Sequence, residues 1–132
     1  SRILQWIKIR DDACPYCIMN VHGLWNGQGK TDTPQRLAQS QKIRAFMDQI
    51  EMPIILCGDL NLRPDTESLQ ILAKGMRNWV EKAGVTSTRT SYYPKAEKFA
   101  DYIFTSPEIE VTDFQVMPDE VSDHAPLLIE IL

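Results

Sequence analysis

The segment from Pro53 to Asp65, PIILCGDLNLRPD, constrains the fold more than any other stretch of the chain. Ile54, Ile55, Leu56 and Cys57 form a short apolar run that reads as a buried strand. Upstream, Thr33 and Pro34 supply an N-cap and a first helical position for PQRLAQSQKIRAFMDQI. Ile43, Phe46, Met47 and Ile50 then recur at helical spacing and give that helix one apolar face. Downstream, TESLQILAKG reads as a short helix stopped by Gly75. A strand bracketed by helices on both sides calls for a layered α/β protein. The exit of this strand is unusual, because the chain is expected to turn at Gly58 and present an acid, Asp59, and an amide, Asn61.

The remaining elements fit around that unit. RILQWIKI alternates, with Ile3, Ile7 and Ile9 near one face, and YCIMNVHGLW follows after the turn-like RDDACP, so the pair reads as a hairpin. WNGQGKTDT is a polar, Gly-rich loop. MRNWVEKAG carries no clear period, and the polar TSTRTSYYPKAEK leads into three expected strands, FADYIFTS, IEVTDFQVM and APLLIEIL. At 132 residues, 43% hydrophobic and 24% charged, there is room for one domain with its own core. A net charge of −4 and a pI near 5.1 argue against a sequence-blind polyanion binder. They leave open a metal site that handles phosphates. No run approaches a membrane span, and the first residues lack the order of a signal peptide. Three cysteines, an odd number, suit a reducing compartment, and a cytoplasmic location is expected. A chain that opens on Ser1 is expected to be processed or to come from something longer.

Two motifs resemble sites without the context for them. CPYC, Cys14 to Cys17, has the spacing and the residues of the glutaredoxin dithiol, but such a pair sits at a helix N-terminus, and here it lies in a turn between strands. The two histidines and Cys57 show no zinc-finger spacing that would complete a metal site with it. GLWNGQGKT ends like a phosphate-cradling P-loop, yet the required Gly five residues before Gly29 is Leu24.

Four other places are chemically purposeful. His22 follows the strand IMNV where it meets Gly23; alone it would be a structural histidine. Asp59 and Asn61 follow the central strand, where Asx residues beside Gly would otherwise be an ordinary turn. Asp101 sits inside FADYIFTS, where an inward-facing acid needs a partner and an outward one needs none. Asp123 and His124 directly precede the last apolar strand, or simply cap a turn with Ser122. Taken together they form a set. Asp59 and Asp123 could share a hard divalent cation such as Mg²⁺, which prefers oxygen ligands. A histidine can move a proton or steady an anionic oxygen near neutral pH, and Asp101 could orient its ring. The chemistry implied is hydrolysis of a phosphate ester.

In their order and spacing NVHGLW, CGDLNLRPDTESL, FADYIFTS and VSDHAPLLIEI resemble the endonuclease/exonuclease/phosphatase superfamily, whose fold is deoxyribonuclease I-like. The resemblance runs from the first hairpin to the C-terminus. It implies that His22 holds or protonates the scissile phosphate and that Asp59 orients or deprotonates the attacking water. Asn61 would bond a phosphate oxygen or a metal-bound water. Asp123 would lie next to the metal, and His124, oriented by Asp101, would contact the phosphate. The implied cofactor is Mg²⁺, or Mn²⁺ in its place.

A complete family domain is a four-layer α/β/β/α sandwich of roughly 250 residues. The resemblance therefore implies that residues 1–132 are a single partial domain, the C-terminal half, with a mostly antiparallel sheet and helices on one face. The family's early strand ending in Asn and its strand ending in Gln-Glu, whose Glu binds the metal, have no counterpart here. Two functions follow: a metal-dependent, endonuclease-like phosphodiesterase, or a non-catalytic fragment that assembles with another chain or binds a phosphate-bearing partner. The incomplete sandwich leaves an apolar sheet face for the N-terminal half or a second copy. Substrate choice in the family ranges over DNA, RNA, inositol phosphates and sphingomyelin, set by loops. Here Arg89, Tyr92, Tyr93, Lys95 and Lys98 in the polar loop are the candidate substrate contacts, able to bind phosphates and stack on bases. Lys30 and Arg36 are further candidates for the mouth.

Overall fold

A computed structural model describes residues 2–132; Ser1 lies outside the described residues. The elements run β1 (Leu4–Ile9), β2 (Tyr16–Val21), α1 (Pro34–Asp48), β3 (Ile54–Asp59), α2 (Glu67–Ala73), β4 (Arg77–Asn78), α3 (Trp79–Lys82), β5 (Asp101–Thr105), β6 (Val111–Val116) and β7 (Leu127–Ile131). Five strands form one sheet in the order β1-β2-β3-β5-β4, and β6 and β7 form a separate two-stranded sheet. Among the described residues only β2 and β3 pair in parallel, joined by the α1 crossover, and the other strand pairs are antiparallel. The mixed α/β class and the mostly antiparallel sheet agree with the sequence. Among the described residues no helix is long and apolar enough to cross a membrane.

Strand alternation sorts the side chains into two cores. Met19 and Val21 of β2, Ile54 and Leu56 of β3, and Tyr102 and Phe104 of β5 pack beneath α1 and α2. The helices answer with Ile43 and Met47 from α1 and Leu69 and Leu72 from α2. The opposite face presents Ile55 and Ile103, covered by Phe114, Leu127 and Ile129 of the β6–β7 ribbon. That face is thus partly roofed by the chain's own second sheet rather than left bare. The cover stops short of β1, where Ile7 remains 57% exposed opposite Ile18.

The helix starts are as the sequence indicates. Thr33 caps α1 by accepting from Arg36 N, and Thr66 caps α2 by accepting from Leu69 N. A second cap was not legible: Asp32, remote in sequence, accepts from Glu67 N and from the Ser68 amide and hydroxyl at 2.6 to 2.8 Å. Its place at the N-terminus of α2 suits its negative charge.

One local expectation is corrected. The chain does not turn at Gly58; β3 runs on through Asp59, and the turn comes at Asn61, in the left-handed region at φ 52°. Asn tolerates that conformation better than most residues. Gly58 serves close approach instead. At φ 141°, a Cβ there would stand 2.0 Å from Val21 O, and one on Gly23 would stand 2.2 Å from Leu60 O. These two glycines let the ends of β2 and β3 close on each other. Gly58→Ala should therefore cost at least about 2 kcal/mol, the range of substitutions that force backbone apart; urea unfolding checks this, and an unchanged midpoint would contradict it.

Candidate active site

The closed strand ends place the site. Gly23 N donates to Asp59 O at 2.7 Å, which sets His22 beside Asp59. Asp59 and Asp101 are register partners across β3 and β5. His22, Asp59 and Asp101 thus come from three adjacent strands at one end of the sheet. His124 reaches them from the segment before β7, where residues 88–90 pair with 123–125 through an Arg89–His124 bridge and the Ala125 N to Thr88 O bond.

Two acids side by side repel, and the structure holds them differently. Asp101 is almost enclosed. Both its oxygens lie 2.9 Å from His124 Nδ1, and Oδ2 also accepts from Thr88 Oγ1 at 3.0 Å. Thr88, fully buried, accepts in turn from the amides of Ala100 and Asp101. Burial pushes the Asp101 carboxyl above its ordinary value, against the lowering effect of His124. Asp59 is freer: Oδ1 accepts from Asn61 N at 3.0 Å, and Oδ2 lies 3.6 Å from His22 Nε2 and 3.7 Å from His124 Nε2.

The histidine tautomer follows from its neighbours. Arg89 Nη1 lies 2.7 Å from His124 Nε2, and a guanidinium only donates. Nε2 therefore accepts, and the ring proton sits on Nδ1, donated to Asp101. Asn61, 5% exposed, uses its side-chain amide on Gly23 O at 3.2 Å, so it braces the β2 and β3 ends while facing the cavity.

His22, Asp59, Asn61, Arg89 and His124 share a cavity of about 320 Å³, and Asp101 is joined to it through His124 Nδ1. A larger cleft of about 790 Å³ opens between the start of β1 and α1, but it has no histidine or carboxylate in its lining. The sequence candidates His22, Asp59, Asn61, Asp101 and His124 are thus brought together. Asp123 lines the same cavity but is turned to Arg89, whose Nη1 it accepts from at 3.1 Å. Asp59, Asp101 and His124 each offer a ligand atom within 4.8 Å of one another. Oxygen donors with one imidazole suit a hard divalent ion such as Mg²⁺ or Mn²⁺, and Asp59 has an oxygen free for it.

The loop candidates divide. Arg89 and Lys95 line the cavity, and so do Lys30, Tyr93 and Trp25. Tyr92 and Lys98 do not line it: Tyr92 is 64% exposed, and Lys98, 5.7 Å from the Tyr93 ring, lines a separate cavity with Arg63 and Glu97. Arg36 is not at the mouth: it is 2% exposed and donates to the carbonyls of Leu24, Gly29 and Thr31. The Gly-rich loop thus turns carbonyls inward, the reverse of a phosphate cradle. Cys14 and Cys17 are both free thiols, and Cys17 is buried in β2 with its pKa raised by that burial, unlike a redox dithiol.

The model of the endonuclease/exonuclease/phosphatase family matches residues 5–124, and the chain belongs to that family. It is 36% identical over 67 residues to protein angel homolog 1 of Rattus norvegicus and of Homo sapiens, covering 48% of this chain and 10% of each of those proteins. A family member from Bacteroides thetaiotaomicron superposes with a TM-score of 0.76 at 25% identity, over 98% of this chain and 55% of that one. A mannosyl-6-phosphatase from the same organism gives 0.73 at 24%, over 99% and 57%. D. rerio TDP2 complexed with a single-strand DNA product gives 0.71 at 17%, over 97% and 60%. The chain spans a tenth of the length of the curated relatives and little more than half of these solved ones.

Thr88 is the buried hinge of this arrangement. Thr88→Val keeps the shape but strands two buried amides and frees a carboxylate oxygen, so a loss of about 2 kcal/mol or more is expected. Urea unfolding of the variant beside the parent measures it; equal stability would mean that the hydroxyl is not what holds Asp101.

Proposed function

We propose that the chain carries the catalytic centre of a divalent-metal-dependent phosphoesterase that cleaves phosphodiesters in the manner of an endonuclease. The observation that supports this most is the convergence of His22, Asp59 and His124 in one cavity, with Asp101 bonded to the His124 ring. Asp59 takes the proton of, or orients, the attacking water, and a histidine hydrogen-bonds a phosphoryl oxygen or protonates the departing one. Asp101 keeps the His124 ring in one tautomer and orientation. Bound Mg²⁺ would supply Lewis-acid stabilisation of the phosphoryl oxygens. Asp59 would hold it, and Asp123 would join only by releasing Arg89.

A second reading is that these 132 residues are the C-terminal half of a family domain, inactive until the other half or another chain completes it. Its support is the lack of a counterpart for the strand that ends in Gln-Glu, the span of little more than half of the solved relatives, and the exposed Ile7. On this reading the apolar surface beside β1 receives the remainder of the sandwich or a second copy.

Plasmid nicking by the purified chain, with and without Mg²⁺ and beside Asp59→Ala, separates the two. Metal-dependent nicking lost in the variant is the outcome expected of a complete centre. No nicking at any metal concentration would favour the incomplete half.

A further inference from the structure

The motifs of the family resemblance account for the acids and histidines but not for the cations beside them. In a chain of net charge −4, Lys30 and Arg89 converge on one ring. The Arg89 guanidinium carbon lies 4.0 Å from the Tyr93 ring centroid, and the Lys30 ammonium 5.6 Å from it. Both come from loops, one before α1 and one before β5.

Each has donor capacity that the fold does not use. The Arg89 side chain is 6% exposed, and its Nε is buried with no hydrogen-bond partner. Lys30 is 4% exposed, and its Nζ donates to Phe99 O at 2.7 Å. Among the described residues no carboxylate lies within 4.0 Å of that ammonium. Burial lowers the Lys30 pKa, and Arg89 adds to that effect against the more distant acids Asp59, Glu97 and Asp101. A fold gains little from such a group, and an apolar side chain would usually suit the place as well.

We propose that Arg89 and Lys30, set around Tyr93, form a clamp that grips the non-bridging oxygens of the phosphoryl group under attack. The proposal rests on the phosphoesterase reading. Asp59 and Asp123 make the lining of the cavity negative, and a phosphate anion entering it needs fixed positive charge nearby. Arg89 already stands where that anion must arrive, with Nη1 2.7 Å from His124 Nε2. A phosphate oxygen that takes this contact breaks it and uncovers the ring nitrogen. The guanidinium presents adjacent donors in a fork suited to two oxygens, and Lys30 adds a point charge.

The test uses inorganic phosphate as the probe and the ¹⁵N-labelled chain without metal, followed by NMR. The clamp requires saturable shifts at Lys30, Arg89, Tyr93 and His124. Lys30→Gln and Arg89→Gln should each weaken phosphate binding by about tenfold, the scale of one charge-assisted hydrogen bond. Arg89→Lys should recover only part of the loss. Lys30→Met should bind phosphate as poorly as Lys30→Gln while melting at the parent temperature or above, an outcome that a structural lysine would not give. If Arg89→Gln does not fold, Lys30→Gln and Tyr93→Leu carry the comparison. Absence of saturable shifts in the parent chain, or equal affinity in the folded variants, overturns the clamp. A chain that binds phosphate in this way but nicks no plasmid counts against a complete phosphodiesterase centre in these residues and leaves the clamp standing. A chain that nicks plasmid with its phosphate affinity indifferent to both cations does the reverse.

Discussion

Two carboxylates stand opposite one another across the β3–β5 pair, and like charges in that register repel. The rest of the site is arranged around this conflict. Asp101 is withdrawn from the cavity lining and given a hydroxyl and an imidazole proton. Asp59 is left facing the cavity between two imidazole nitrogens at 3.6 and 3.7 Å. The same pairing of strands therefore yields two acids with different partners, one fixed to an imidazole and a hydroxyl and the other facing the cavity. The conflict also explains why cations gather at the cavity wall of a chain whose overall charge is negative.

Much of this was legible in the sequence because it depends on local pattern. The helical spacing of Ile43, Met47 and their neighbours, the apolar run of β3 and the alternation of β5 each report burial directly. The five residues that the structure brings together at the strand ends were legible because strand ends deliver side chains to a common edge, and because their order resembles a known family. What was not legible depends on contacts between distant segments. Nothing near Thr88 marks it as the residue that supports Asp101, and nothing near Asp32 marks it as a cap for α2. The choice between Tyr92 and Tyr93 turns on one step of backbone phase in an irregular loop. Gly58 was misread for a similar reason: a glycine beside a strand usually signals a turn, whereas this one makes room for the carbonyl of a neighbouring strand.

The β6–β7 ribbon has a double part. It covers Ile55 and Ile103, and its last strand follows directly on the segment that carries Asp123 and His124. Packing of the second sheet and placement of the histidine are consequently one event. The ribbon leaves the β1 side of the face open, so the chain is layered α/β/β at one end and α/β at the other.

The buried Arg36 ties the loop before α1 to the first turn of that helix through three backbone carbonyls. A segment held in this way cannot gain or lose residues without moving Lys30 from its place beside Tyr93. The polar stretch before β5 is instead tied at its base, where Thr88 N and Ser87 Oγ donate to Lys98 O. Descendants of this sequence could accordingly acquire new substrates by altering the length of the later loop, while the earlier one would drift only in the residues at its surface.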